Sequence, residues 1–292
     1  MSRAPLVGLV DWRLPGDHFD AATLAHDVGA DGLQLDLGGP GRGPWLDAPG
    51  VLDRVRDTCA RLGVRPLAVA GNTLNDIGLH TPAEGPLRGV LTRVLDAAAA
   101  LDAPLAFVPS FRRSEIRDVG DLRRTAARLS WAAKEAAARG LLLANENSLA
   151  PRRALALVEE VAEPNFRLLL DTYNPRAHGV DVVELIEATH AWIAPQIHLK
   201  DGTDGVVARE PLGEGDGRVW EALTALHGAG STPYALVLEN DYRDGDLSRL
   251  TADITRTLRH APWSHVAESS VRVHLDHAPG RHGESQQTRF PV

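Results

Sequence analysis

Short apolar runs alternate along this chain with longer segments of helical periodicity, and this alternation restricts the fold more than any other feature. Eight runs are almost continuously apolar, as expected of parallel strands that helices cover. They lie at residues 5–12, 32–37, 64–70, 104–109, 141–146, 166–171, 195–200 and 234–239. Eight strands alternating with eight helices predict an α/β fold of the TIM barrel type, (β/α)₈. A doubly wound open sheet is the main alternative. No GxGxxG motif follows the first run, so the dinucleotide-binding function that is common in such sheets is not indicated.

The barrel is predicted to occupy residues 1–261 as one domain, because about 250 residues are typical of this fold. Two helix ends support the pattern. Gly140 follows WAAKEAAAR as a stop signal, and Asp181 precedes VVELIEATHAWI as an N-cap. Residues 262–292 are polar and irregular, so we expect a C-terminal tail with little regular structure. Its segment SSVRVHLDH is alternatively a short strand or an arm between subunits.

The net charge and the cysteine content exclude several kinds of partner and binding site. The formal net charge is -8 at pH 7, whereas nucleic-acid-binding proteins are usually basic, so we expect no nucleic-acid partner. Cys59 is the one cysteine of the chain, which rules out an intrachain disulfide and a thiolate-based metal site. No apolar run approaches the roughly 20 residues of a membrane span, and the first residues lack the apolar core of a signal peptide. A cytoplasmic protein without a membrane partner is therefore expected.

Four runs in the second half of the chain each end in a residue that can ligate a hard metal ion. The segments are LLLANENS, RLLLDTYN, QIHLKDG and YALVLENDY, with the candidate ligands Glu146, Asp171, His198 and Glu239. Residues two positions apart in a strand share a face, so each ligand shares the face of the residue two positions before it. If these faces point into the barrel, the four side chains meet at its mouth. Three carboxylates and one imidazole favour Mn²⁺ or Mg²⁺, with Co²⁺, Fe²⁺ or Zn²⁺ as alternatives.

The same segments resemble the xylose isomerase-like TIM-barrel superfamily, in particular its sugar phosphate isomerase/epimerase members. The motifs that carry the likeness are ENS, LLDTYNP, IHLKDG, LGEGDG and LVLEND, and the likeness extends over about residues 5–260. The resemblance implies that the four candidate ligands hold one divalent metal ion. It also implies that Glu146 and Glu239 are the acid and the base, as in the ketose-epimerase and hydroxypyruvate-isomerase branches.

Lys200 departs from the pattern of the xylose isomerases proper, in which further carboxylates and a histidine beyond the seventh strand hold a second metal ion. This lysine lies two residues after His198 on the same face, where its charge would repel a second cation. We therefore expect one metal ion, and proton transfer rather than a hydride shift. Lys200 itself is expected to contact a substrate oxygen or to act as an acid. The alternative is an ion pair with Asp201 or Glu214.

Loops around the predicted mouth supply further candidates for substrate binding. Asn147 directly follows one predicted ligand, His178 lies in the loop after the sixth strand, and His80 lies in the loop after the third. Arg112 and Arg113, in SFRRSEIRD after the fourth strand, are candidates for binding a carboxylate or a phosphate. We predict substrate contacts from Asn147, His178, Arg112 and His80.

The glycine-rich segment LGEGDGR permits two readings. Backbone N–H groups of such a segment can cradle a phosphate, but Glu214 and Asp216 would repel it, which favours a tight loop that shapes the pocket. The abasic-site endonuclease branch of the superfamily needs several zinc ions and more histidines than this chain offers. Its first half contains only His18, His26 and His80, and the first two are expected at the surface.

These features predict a divalent-metal-dependent isomerase or epimerase of a small sugar or hydroxy-carbonyl compound, with a role in carbohydrate metabolism. An ion chelated by adjacent carbonyl and hydroxyl oxygens acidifies the carbon between them, and two carboxylates can move the proton through a metal-bound enediolate. The second hypothesis is a metal-dependent dehydratase resembling inosose or dehydroshikimate dehydratase. The third is a barrel that binds a sugar without catalysis. The expected partner is a small polyhydroxylated or keto substrate, and a homo-oligomer is an open alternative.

Overall fold

Eight parallel strands close into a barrel in the computed structural model, which describes residues 4–81 and 84–263. The strands are β1 Leu6–Val10, β2 Gly32–Asp36, β3 Arg65–Ala70, β4 Leu105–Pro109, β5 Leu142–Glu146, β6 Phe166–Asp171, β7 Ile193–Leu199 and β8 Ala235–Leu238. Each strand pairs with its neighbours in this order, and β8 closes the ring by pairing with β1. The predicted TIM barrel is therefore confirmed. Of the predicted tail, residues 264–292 lie outside the described residues.

A long helix follows each strand of the barrel. The helices are α1 His18–Asp27, α2 Val51–Leu62, α3 Glu84–Ala100, α4 Val119–Ala137, α5 Pro151–Val161, α6 Val182–Thr189, α7 Val219–Gly228 and α8 Leu247–His260. Asp181 caps α6 as predicted, because its side chain accepts hydrogen bonds from the first backbone N–H groups of the helix. Gly140 follows the end of α4 at a φ of 72°, which a glycine adopts without strain. Among the described residues, no helix combines the length and apolar character that crossing a membrane requires.

Hydrophobic packing forms two layers. The main core contains strand and helix residues together, whereas two smaller clusters contain strand residues and Trp12 and fill the barrel interior. The inner clusters include Ala144, Leu169 and Val237. Each of these residues lies two positions before a candidate metal ligand, so those ligands share the inward-facing side of their strands.

Strand ends at the mouth differ from the prediction where the chain turns into loops. β1 ends at Val10 rather than at residue 12, because Asp11–Arg13 forms a short 3₁₀ helix. β8 ends at Leu238, one residue before the predicted end. The backbone N–H of Glu239 nevertheless donates to the carbonyl of Leu199 in β7 at 2.9 Å. The backbone is therefore held in register up to the candidate ligand itself.

The prediction that His18 lies at the surface is wrong. It is the first residue of α1 and is buried. Its Nδ1 lies 2.6 Å from Oδ2 of Asp11, and its Nε2 lies 3.3 Å from the carbonyl oxygen of Pro44. The imidazole therefore ties the turn after β1 to the loop after β2. His26 is exposed, as predicted.

Candidate metal centre and active site

The four candidate metal ligands meet at the carboxyl end of the barrel. Glu146 and Asp171 end β5 and β6. His198 lies one residue before the end of β7, and Glu239 directly follows β8. One ligand atom from each side chain lies within 4.8 Å of the others, and all four residues are buried. The inward faces of four successive strands thus bring together groups that are far apart along the chain.

Each carboxylate of this cluster has one oxygen held by a nearby donor. Nδ2 of Asn174 donates to Oε1 of Glu146 at 3.0 Å, and Nε1 of Trp12 donates to Oε1 of Glu239 at 3.0 Å. Two backbone N–H groups after β6 donate to Oδ1 of Asp171. These hydrogen bonds fix the orientation of the carboxylates and leave their other oxygens for a ligand.

Three buried atoms of the cluster have no hydrogen-bond partner among the described residues. They are Oδ2 of Asp171, Nδ1 of His198 and Oε2 of Glu239. Nδ1 of His198 lies 3.0 Å from Oε2 of Glu239 and 3.4 Å from Oε1 of Glu146. The two carboxylate oxygens lie within 2.9 Å of the ammonium of Lys200, and so many carboxylate oxygens beside one imidazole nitrogen make the cluster favourable for a cation. Three carboxylates and one imidazole are a donor set that fits one divalent metal ion.

Gln34 determines which nitrogen of His198 faces the cluster. Nε2 of His198 lies 2.8 Å from Oε1 of Gln34, and Nε2 of Gln34 donates to Oε1 of Gln196 at 2.9 Å. Because the amide nitrogen of Gln34 is used in this way, its oxygen accepts and Nε2 of His198 donates. Nδ1 is therefore left for a metal ion. The sequence prediction does not include Gln34, although a glutamine inside the apolar run GLQLD is a signal for a buried polar contact.

Lys200 is part of the same buried cluster. Its Nζ lies 2.7 Å from Oε2 of Glu239 and 2.9 Å from Oδ2 of Asp171, without the angles of a hydrogen bond to either oxygen. Burial alone would lower the pKa of Lys200, but the carboxylates of Asp171 and Glu239 outweigh burial and raise it. The ammonium is therefore charged at neutral pH. The alternative prediction, an ion pair with Asp201 or Glu214, is wrong for the structure.

The two glutamates experience different environments. Burial and the nearby carboxylate of Glu239 raise the pKa of Glu146. Burial acts in the same direction on Glu239, but the charges of Lys200 and His198 outweigh it and hold the pKa of Glu239 well below its usual range. Two carboxylates with pKa values pushed apart in one buried site are typical of acid–base catalysis.

A cleft of about 280 Å³ opens from the mouth onto the cluster. Glu146, Glu239 and Lys200 line its inner end. The other lining residues are Trp12, Arg13, Arg42, Asn72, Asn75, Pro109, Phe111, Arg112, Asn174, Val207 and Arg243. Their amide, indole and guanidinium groups can donate hydrogen bonds to hydroxyl and carbonyl oxygens, so the cleft suits a small polar ligand.

Of the four residues predicted to bind substrate, Arg112 lies in the cleft lining. The other three lie outside it. Asn147 forms hydrogen bonds within its own loop, and Nδ1 of His178 donates to the carbonyl of Asn174 at 2.8 Å. His80 lies 3.9 Å from a carboxylate of α4. It is Asn174, rather than Asn147, that orients the glutamate at the end of β5.

A family model described as a xylose isomerase-like TIM barrel matches residues 22–259. The chain belongs to this family. A 2-epi-5-epi-valiolone 7-phosphate 2-epimerase from Actinoplanes sp. (strain SE50/110) is 51% identical over 255 residues, which cover 87% of this chain and 94% of that protein. An L-ribulose 3-epimerase structure is 18% identical and superposes with a TM-score of 0.71, covering 94% of this chain and all of that one. A D-psicose 3-epimerase with D-tagatose from Clostridium cellulolyticum H10 is 17% identical, with a TM-score of 0.69 and coverage of 89% and 98%.

The predicted class is confirmed by the epimerase relative and by the ligand cluster together. This member of the xylose isomerase-like family is an enzyme of the isomerase or epimerase type with a site for a divalent metal ion. The two structures below 25% identity support its fold. Within the described residues, the four ligands are the one group of histidine and carboxylate side chains close enough to share an ion.

In this xylose isomerase-like barrel, the glycine-rich segment LGEGDGR wraps around an internal carboxylate. Oδ2 of Asp201 accepts hydrogen bonds from the N–H groups of Gly213 and Gly215, and Oδ1 accepts from Gly217. A Cβ atom at Gly215 would overlap Asp201, which explains the need for glycine there. The amides that could have cradled a phosphate are therefore already used, so the segment is a tight loop; that it shapes the pocket stays a prediction.

Metal binding is expected to release a proton from His198. Burial alone would lower the pKa of its ring, but the carboxylates of Glu239 and Glu146 outweigh burial and raise the pKa to about 10. The ring is therefore cationic at pH 7, and an ion on Nδ1 displaces one proton. The apparent affinity for Mn²⁺ should increase about tenfold per pH unit between pH 6 and pH 8. Calorimetric titration in buffers of different ionisation enthalpy measures the released proton, and an affinity independent of pH would contradict the prediction.

Proposed function

We propose that this enzyme inverts the carbon next to the carbonyl group of a phosphorylated cyclic ketone, with 2-epi-5-epi-valiolone 7-phosphate as its substrate. The relative named for that reaction is 51% identical and aligns over 94% of its length. Proton transfer can epimerise carbon 2 only if it is acidified by a neighbouring carbonyl group. The observation that carries the proposal is the buried pair Glu146 and Glu239, which share one cluster at the inner end of the cleft.

The two glutamates supply the proton transfers. One carboxylate removes the proton from carbon 2, which leaves a planar enolate, and the other returns a proton to the opposite face. In the reverse direction the roles exchange. Asn174 and Trp12 hold Glu146 and Glu239, respectively, by one oxygen each, so each carboxylate keeps its orientation during proton transfer.

The residues that would hold the metal ion are Glu146 and Glu239 together with Asp171 and His198. We propose Mn²⁺ or Mg²⁺, because carboxylate oxygens predominate in the set. When bound, such an ion supplies Lewis-acid stabilisation of the negative charge that develops on the substrate oxygens. Lys200 is proposed to add a second positive charge near those oxygens, and its hydrogen bond to Oδ1 of Asn174, at 3.3 Å, helps to place it.

Solvent exchange tests this function directly. The metal-loaded enzyme is incubated with 2-epi-5-epi-valiolone 7-phosphate in D₂O and the products are followed by NMR. We expect one deuterium at carbon 2 and a product of inverted configuration, because the proton passes through a carboxylate before it is returned. Formation of an ultraviolet-absorbing enone would instead identify a dehydratase. Failure to exchange or convert the compound would overturn the proposed substrate.

Two further proposals concern the setting of the enzyme rather than its chemistry. A cytoplasmic location is consistent with a small phosphorylated metabolite as substrate and with the buried thiol of Cys59, which has no disulfide partner. Association into a homo-oligomer stays a prediction.

A further inference from the structure

We propose that a clamp of four arginines at the mouth of the cleft binds the phosphate group of the substrate; this rests on the proposed function. The clamp consists of Arg13, Arg42, Arg112 and Arg243. All four line the cleft that leads to the metal ligands. They come from the segments after β1, β2, β4 and β8, respectively, so the closed barrel brings them to one opening.

Charge pairing in the clamp is incomplete. Oδ2 of Asp76 pairs with Arg42 at 2.9 Å, and Oδ1 of the same carboxylate pairs with Arg112 at 3.0 Å. On the other side of the mouth, Asp241 pairs with Arg243 at 2.5 Å and lies 4.0 Å from Arg13. Arg13 also lies 4.0 Å from Oε1 of Glu239, a carboxylate that Lys200 and His198 share. The four guanidinium groups therefore outnumber the carboxylates beside them. A phosphate monoester, which carries about -1.5 to -2 at neutral pH, would balance this positive excess.

The carboxylates of Asp76 and Asp241 hold the arginines of the clamp by ion pairs from outside the cleft. Neither Asp76 nor Asp241 belongs to the cleft lining, whereas their arginine partners do. The side chain of Arg13 is partly buried, and its Nε, which lies 4.0 Å from Oε1 of Glu239, has no hydrogen-bond partner in the described structure. Guanidinium groups that are pre-positioned in this way lose little side-chain entropy when they bind an anion.

The position of the phosphate follows from the second cavity at the mouth. Arg42 and Arg243 line both the cleft and a neighbouring cavity of about 290 Å³. That cavity is also lined by Asp17, whose carboxylate disfavours an anion, and by Asp11, which pairs with His18. The phosphate therefore binds where the two cavities meet, between Arg42 and Arg243, and the ring of the substrate extends inward to the glutamates. The glycine-rich loop offers no competing site, because Asp201 already occupies its amides.

The test compares phosphorylated and dephosphorylated substrate in wild type, Arg42→Gln and Arg243→Gln. We expect the ratio of kcat/KM for the two compounds to fall about tenfold to a hundredfold in each variant, mainly through KM for the phosphorylated one. Arg113→Gln is the matched control, because Arg113 is exposed beside the clamp and lies outside the cleft lining. In that control the ratio should stay within twofold of wild type.

A second measurement separates the clamp from the reaction. Inorganic phosphate is titrated calorimetrically into metal-free protein, and binding should be at least tenfold weaker in Arg243→Gln than in wild type or Arg113→Gln. Arg42→Lys and Arg243→Lys, which keep the charge, should recover part of the loss. An unchanged substrate ratio and unchanged phosphate binding would overturn the clamp while leaving the proposed epimerase intact. Wild-type enzyme that converts neither compound would overturn the proposed function. The phosphate titration would still show whether the four arginines bind phosphate.

Discussion

Glu146→Gln should lower the rate of epimerisation by about a thousandfold or more, because positioned proton transfer contributes about 10²–10⁴ to catalysis. The amide keeps the shape of the side chain, and its oxygen can still accept the hydrogen bond from Asn174. It cannot take a proton from carbon. The rate at which the product of inverted configuration forms, followed by NMR, measures the loss, at metal concentrations high enough to saturate the variant.

The same substitution should leave the fold intact. Burial and the neighbouring Glu239 raise the pKa of Glu146, so the folded metal-free protein holds its ionised form at a cost. A neutral glutamine removes that cost, and the thermal midpoint of the metal-free variant should equal or exceed that of wild type. Glu159→Gln is the matched control, because Glu159 is exposed on α5, the helix that follows β5. Near-normal turnover by Glu146→Gln would remove the acid–base assignment.

The barrel and its ligand cluster could be predicted because both depend on simple periodicities. Near-continuous apolar runs identify parallel strands, and residues two apart in a strand share a face. In a closed barrel, a polar residue at the C-terminal end of such a run, on the face that points inward, lies at the mouth. Position alone therefore predicts that Asp171 and Glu239 lie at the same end of the barrel, although they are 68 positions apart in the sequence.

The contacts around the ligands were harder to predict because they depend on loops and on pairs of residues distant in sequence. Gln34 contacts His198 across the barrel interior, over a separation of 164 residues. Asn174 lies in a short helical turn, and the path of that turn determines that Asn174, rather than Asn147, contacts the carboxylate of Glu146. The clamp partners Arg42 and Arg243 lie in loops whose paths no periodicity determines.

Lys200 connects folding with metal binding, because its ammonium lies among the same oxygens that would ligate the ion. In the metal-free protein it balances two buried carboxylates at 2.7 and 2.9 Å. A buried ion pair contributes little net stability, but removal of one partner alone typically costs about 3–5 kcal/mol. Lys200 thus stabilises the metal-free site and, through its positive charge, opposes the entry of a divalent cation.

Lys200→Met should therefore destabilise the metal-free protein by about 3–5 kcal/mol and strengthen Mn²⁺ binding by at least about tenfold. Denaturant unfolding with and without Mn²⁺ measures both effects, because an ion that binds only the folded state adds stability in proportion to the logarithm of its concentration over Kd. Mn²⁺ should raise the unfolding free energy of the variant more than that of wild type. The chain has one other lysine, Lys134, which is exposed near Glu163. Lys134→Met is therefore the matched control, and its free energy of unfolding should differ from that of wild type by less than about 1 kcal/mol. A metal-free Lys200→Met protein as stable as wild type would show that the ammonium does not balance the carboxylates, and weaker Mn²⁺ binding would show that it helps to hold the ion.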